Sequence, residues 1–277
     1  MARHAVLFGL NYQKNPFKGI GPLRGSFEDV KMMKELLSGN DFHFDDIRSF
    51  TDDENDKARD GTTYDGIITE LRALAQRSVD LKLEVAWIHF SGIGTQSYDT
   101  SWDERDWYDE CIVPSDFERY IKQGYLKDDR IRQVLRTFDP LTKVVCVFDC
   151  NASATIGDLK YKFMDNGALA VQRQHNMDAC EAKVILIGAC RDDASASEVG
   201  NKTKVEEMTS GEKSETYHGA LTKALVTNIQ KWGGDPSRIG IHKLMNLLRV
   251  QVDSDVMKLQ IPQLSCSYFV EEDETLF

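Results

Sequence analysis

The sequence predicts an α/β sandwich with a mostly parallel central sheet, and three observations point there. Short apolar runs alternate with longer amphipathic segments along the whole chain. Two of the runs, KVVCVF at 143–148 and KVILIGA at 183–189, are continuously apolar, as strands covered on both faces must be. With 277 residues, 41% hydrophobic and 29% charged, the chain can bury one substantial core and is not disordered overall. No internal repeat or low-complexity block divides it, so residues 1–277 read as a single domain.

The elements follow in order. Residues 5–10 are apolar and short, a first buried strand. Ser26 then caps a helix to about Leu37, with Phe27, Val30, Met33, Leu36 and Leu37 at helical spacing. Residues 47–50 form a short strand. Thr62 or Thr63 caps a second helix to about Gln76, with Ile67, Leu71 and Leu74 inward. Residues 83–90 are the next strand, and ECIVP at 110–114 is a short one after a polar, acidic loop. Residues 128–138 form a helix with Ile131, Val134 and Leu135 on one face. Beyond the strand at 143–148, residues 151–182 read as mostly irregular. Residues 195–217, rich in Ser, Thr, Glu and Lys, predict a mobile loop. Residues 219–232 and 238–248 are amphipathic helices, and QLSCSYF at 263–269 is placed at the sheet's edge.

In parallel sheets of this kind the ligand site lies beyond the carboxyl ends of the strands. Two tight breaks fall there. The first, in WIHFSGIGTQ at 87–96, puts glycines on both sides of Ile93 and so frees the backbone for a turn that presents one side chain. That side chain is a β-branched hydrocarbon with no proton to move. The second break, after Phe148, reads DCNASA.

Charge and cysteine usage exclude several classes. A net charge of −11 and a pI near 5.1 argue against non-specific binding to nucleic acid or anionic membrane. No run of 18 apolar residues exists, so membrane insertion is not expected. The opening MARHAVLFGLN has no signal-peptide pattern, and the 6 cysteines form no disulfide framework or CxxC pair; both fit a cytoplasmic protein.

The two breaks resemble catalytic loops. HFSGIGTQ is similar to H-Y-S-G-H-G-T-Q, and DCNASA to D-S/C-C-H-S-G, of the metacaspases, caspase-fold cysteine peptidases that cut after Arg or Lys. LFGLNY, LRGSFEDV, YDECIVPSDF, LKDDRI, GACRDDASAS, GALTKAL and PQLSCS fall in the same order as in that family. The resemblance implies a caspase-like three-layer αβα sandwich. It also implies that Ile93 stands where the family has its catalytic histidine and Asn151 where it has its nucleophilic cysteine. Isoleucine cannot shuttle a proton, and a carboxamide is no nucleophile. The expectation is a catalytically dead pseudopeptidase that acts by binding, as a monomer, toward an active metacaspase or another protein partner with an Arg/Lys peptide. The alternative is residual or altered peptidase activity using Cys150. Strand alternation should turn Cys150 away from Ile93, and as a small buried hydrophobe it is inert.

By resemblance, Ser26, Asp29, Ser91 and Asp149 form the slot for the substrate's basic side chain. Asp29 also suits the first turn of a helix, and Asp149 the end of a strand. Asp109, Asp128, Asp129 and Asp158 match a calcium site of the family, although Asp128 and Asp129 also suit a helix N-terminus and Asp109 an ion pair. The family's Gln-Thr-Ser is Ala194-Ser195-Ala196 here. His89 reads as a hydrogen-bonded strand residue, while His175 and His218 lie in loops that could approach the cleft. The acidic loop at 99–110, with 2 tryptophans, could cover the cleft or meet a partner, or be a solvated loop.

Overall fold

The computed structural model describes residues 2–17, 21–39, 41–98, 107–121, 125–163, 169–171, 180–192, 194–201, 216–233, 235–256, 260–271 and 273–277. Its strands are β1 (Arg3–Gly9), β2 (Asp46–Thr51), β3 (Val85–Ser91), β4 (Gly94–Tyr98), β5 (Tyr108–Ile112), β6 (Leu126–Lys127) and β7 (Lys143–Asp149). Then come β8 (Tyr161–Phe163), β9 (Leu169–Val171), β10 (Lys183–Gly188), β11 (Glu198–Asn201), β12 (Thr216–Gly219) and β13 (Gln263–Cys266). The helices are α1 (Ser26–Ser38), α2 (Tyr64–Leu81), α3 (Asp128–Leu135), α4 (Ala220–Lys231) and α5 (Ile241–Val256).

An eight-stranded sheet in the order β2-β1-β3-β7-β10-β13-β8-β9 forms the middle layer. From β2 to β10 every pairing is parallel, and from β10 to β9 every pairing is antiparallel. Side chains alternate between two cores, as the two-residue period of a strand requires. Leu7, Trp87, Val147 and Ile187 face α1, α4 and α5, whereas Phe8, Ile88, Cys146 and Leu186 face α2 and α3. Both faces are therefore covered, and the chain is the three-layer α/β/α sandwich its sequence predicts.

Several boundaries differ from expectation. α2 runs five residues past Gln76, to Leu81, because Ser78 continues its buried stripe and Lys82, in the left-handed region at φ 52°, stops it. Thr63 caps it, its hydroxyl accepting from the Gly66 N–H at 3.1 Å. Ser26 does not cap α1. It is the first helical residue, and its N–H donates to Asn11 Oδ1 at 3.0 Å. The segment QLSCSYF is not the edge. β13 pairs with β10 on one side and with the hairpin β8–β9 on the other, a hairpin lying in the stretch expected to be irregular. The expected loop at 195–217 is entered and left by the paired strands β11 and β12, and residues 202–215 lie outside the described residues.

Leu74, fully buried on α2, measures how much this packing contributes. Leu74→Ala should cost ~2–5 kcal/mol, read as a lower urea midpoint with unchanged slope.

Candidate binding cleft

β1, β3 and β7 are neighbours and end together: Gly9 is opposite Ser91, and Ser91 opposite Asp149. β2 lies on one side of β1 and β3 on the other, with α1 and α2 on opposite faces, so the sheet order reverses here. Such a switch point leaves a crevice beyond the strand ends. A cavity of about 60 Å³ fills that crevice and is lined by Ser26, Asp29, Ser91, Ile93, Asp149 and Asn151, among others. All six residues singled out from the two breaks and the slot thus meet in one place.

The two slot carboxylates are buried and held by named donors. Ser91 Oγ donates to Asp29 Oδ2 at 2.7 Å, and the Gly219 N–H lies 2.9 Å from the same oxygen. The Thr222 N–H, in the first turn of α4, donates to Asp149 Oδ2 at 2.7 Å. Asp149 does end a strand, but its carboxylate serves the N-terminus of α4, where the helix dipole favours an anion. Asp29 is fully buried and turned toward β3 and β12, so a helix-terminal charge is not its whole role. Gly219 makes the crowding possible: a Cβ there would stand 2.2 Å from Asp149 Oδ2 and 2.9 Å from Asp29 Oδ2. Burial first, and the neighbouring charge of Asp29 second, raise the Asp149 carboxyl to about 7.

The histidines sit behind this pair. His89 Nε2 is 3.1 Å from Thr222 Oγ1, and burial lowers its pKa to about 4, so it is a neutral, hydrogen-bonded strand residue at pH 7. His218 lies on β12 rather than in a loop, with Nδ1 3.5 Å from Asp29 Oδ1. His175 falls outside the described residues.

Ile93 and Asn151 occupy the floor of the cleft. The turn that carries Ile93 is pinned by Tyr12, whose hydroxyl donates to the Val113 carbonyl at 2.6 Å and accepts from the Ile93 N–H at 3.1 Å. Neither Gly92 nor Gly94 adopts a positive φ, so the turn does not use their left-handed freedom. Gly94 is needed for close approach instead: a Cβ there would fall 1.9 Å from the Asn151 carbonyl oxygen. Asn151 Oδ1 accepts the Ala196 N–H at 2.6 Å, and Ala152 turns the chain behind it at φ 47°. Cys150 joins the apolar cluster of Val144, Cys146 and Phe148, so the strand's alternation carries through it, and the same cluster also holds Ile93. Its sulfur does not line the cavity, and burial pushes its thiol pKa well up, the opposite of activation.

One cleft residue was missed in the sequence. Glu198, at the start of β11, lines the cavity and accepts the Arg24 and Gly25 N–H groups at 2.8 and 2.5 Å, holding the two residues that lead into α1. Its only signal was its place directly after GACRDDASAS.

Of the four aspartates of the suggested calcium site, Asp109 and Asp158 lie close enough to Asp128 for their charges to act on it, together with that of Glu110. Among the described residues, no group of three or more His, Cys, Asp and Glu side chains is placed to hold a metal ion. Asp109 is ion-paired with Lys127. Asp128 Oδ2 accepts the Glu110 N–H at 2.8 Å and Oδ1 the Asp129 N–H at 2.7 Å, so it works at the start of α3. Burial, then the charge of Asp158, holds the Asp128 carboxyl well above the usual range. In the acidic loop, residues 99–106 lie outside the described residues, whereas Asp109 and Glu110 are buried in β5.

Fold and cleft together define a caspase-like α/β sandwich with an acidic slot at its sheet switch point. The family model for the metacaspase peptidase C14 domain matches residues 3–160, more than half of the sequence, and the chain belongs to the metacaspase family. It is 29% identical over 208 residues to "Inactive metacaspase-4" of Trypanosoma brucei brucei, a match covering 72% of this chain and 56% of that protein. It is 28% identical over 280 residues to "Metacaspase-2" of the same organism, covering 98% of this chain and 75% of the relative. Among solved structures, protein GSU0716 from Geobacter sulfurreducens superposes with a TM-score of 0.60 at 19% identity, over 98% of this chain and 95% of that one. This last likeness concerns the fold alone.

Two outcomes follow from the cleft. Tyr12→Phe strips one buried carbonyl and one buried N–H of their partner and should cost ~1–3 kcal/mol in denaturant unfolding. The Asp149 carboxyl, ordinarily near 3.8, is raised to about 7, so between those values the folded state holds a proton that the unfolded chain has released. Its contribution is therefore full below the unfolded value and lost as pH rises through about 7. Asp149→Asn should flatten that decline in urea midpoints measured from acidic to slightly alkaline pH.

Proposed function

We propose that this chain is a catalytically silent metacaspase, a pseudopeptidase that binds an arginine or lysine side chain of a protein partner without cutting the partner. The observation that carries this reading is that Ile93 and Asn151 line one cleft at the ends of β3 and β7, with no cysteine or histidine side chain lining it among the described residues. Thiol proteolysis needs a thiolate and a base that takes and returns a proton. Neither a sec-butyl group nor a carboxamide does either job. The nearest thiol, Cys150, is buried and unactivated. That one relative bears the name "Inactive metacaspase-4" supports the idea that the family tolerates such losses.

Recognition is supported by what the cleft keeps. Asp29, Asp149 and Glu198 put three carboxylates on one small cavity, the setting in which a guanidinium or ammonium gains charge-assisted hydrogen bonds. A regulatory role toward an active metacaspase fits a protein that reads the same side chains and leaves them intact.

Titration with an arginyl peptide tests this. Saturable binding is expected, with affinity rising as pH rises through about 7, because a bound cation favours ionised Asp149. Asp29→Asn should weaken it ~10-fold or more, the worth of one charge-assisted hydrogen bond. No turnover of Arg or Lys substrates is expected, with or without calcium. Turnover abolished by Cys150→Ala would overturn the reading, as would a peptide that leaves the Asp29 and Asp149 surroundings unperturbed by NMR.

A further inference from the structure

β4, β5 and β6 form a separate antiparallel sheet beside the cleft, in that order. It is short: β6 has 2 residues, and β5 and β6 share only the pairs Cys111–Lys127 and Ile112–Leu126. Backbone pairing of that extent is weak by itself. A side chain ties the three strands instead. Lys127, on β6, forms an ion pair with Asp109, on β5, and donates to the Tyr98 carbonyl, on β4, at 3.1 Å. Its side chain is 17% exposed and that of Asp109 is 2% exposed, so this is an enclosed pair rather than a surface one.

The donor set is informative. Among the described residues, a carboxylate oxygen and a main-chain carbonyl oxygen, gathered from different strands around a positive centre, are of the types a hard divalent cation collects. Here an ammonium collects them from within the chain. The next residue, Asp128, spends its oxygens on backbone N–H groups of Glu110 and Asp129. We propose that Lys127 is a built-in cation, which takes the structural place of a metal ion at the β4–β5–β6 sheet and makes the order of that sheet independent of calcium.

The mechanism is electrostatic. The ammonium neutralises a buried carboxylate whose neighbours, Glu110, Asp128 and Asp158, are also buried acids. A calcium ion entering the same space would meet a fixed positive charge and would have to displace it. The inference is independent of whether the cleft binds arginine, since it concerns the sheet beside it.

Thermal unfolding with calcium chloride or with chelator decides the matter. The wild-type midpoint should be the same in both, and calorimetry should show no saturable calcium heat at millimolar concentrations. Lys127→Met keeps the stem and removes the charge. Its midpoint should fall by roughly 2–4 °C or more, and calcium should restore most of the loss. Lys127→Arg should keep the wild-type insensitivity. If Lys127→Met does not fold alone, refolding in calcium should rescue it. Calcium binding by the wild type, or a Lys127→Met protein that calcium neither stabilises nor rescues, would overturn the proposal.

Discussion

Two carboxylates of like charge, Asp29 and Asp149, stand side by side in the interior, and the architecture of the cleft is what keeps them there. A buried anion is tolerated only where donors replace its lost water. The donors come from Ser91 at the end of β3, from the backbone of Gly219 at the end of β12, and from Thr222 in the first turn of α4. Each lies on a different element, so satisfying the pair fixes β3, β12 and α4 against α1 and β7. Gly219 is the tightest point, since its missing side chain is the space both carboxylates use. The dipole of α4 then aids Asp149 but offsets neither the burial of that carboxyl nor its repulsion with Asp29, which is why it keeps its proton until near neutrality.

Much of this was legible in the sequence, for a definable reason. Strands covered on both faces announce themselves as apolar runs, so β1, β3, β7 and β10 were placed to within one or two residues. Their carboxyl ends then located the cleft without further information, and the six residues named there do meet. What stayed hidden depends on contacts between distant segments. Glu198 holds the entry to a helix that begins 172 residues earlier in the chain, at Ser26, and local pattern carries no trace of that. Ser26 looked like a cap because of its residue type, but it is already helical, and Asn11 accepts its N–H. The β8–β9 hairpin was missed because strands of three residues are too short to show a period. Spacing likewise shows the four aspartates of the suggested calcium site but not the lysine, Lys127, that pairs with one of them.

Ile93 and Asn151 are integrated into the structure rather than left over. Ile93 belongs to the apolar cluster under α2 and α3, and it is nearly fully buried. Asn151 accepts the Ala196 N–H and so ties the end of β7 to the segment that leads into Glu198. Catalytic groups generally cost a fold some stability, because they hold reactive polar atoms in half-desolvated places. On the reading proposed for this chain, both positions now contribute packing or a satisfied hydrogen bond, while the slot that recognises charge persists next to them.

Recognition without cleavage, as proposed for this chain, also constrains where affinity must come from. A cavity of about 60 Å³ admits several waters, hence the head of one side chain rather than a folded segment. One charged head desolvated against two or three carboxylates selects arginine or lysine but gains little net energy after its own loss of water. The remaining affinity has to be drawn from residues flanking that side chain, lying over the rim of the cleft. The overall charge of −11 works in the same direction at longer range, since it accelerates the approach of basic segments and slows acidic ones within a Debye length of the surface. On the reading proposed for this chain, the acidic slot therefore sets which side chain is accepted, and the surface around it sets how long the partner stays.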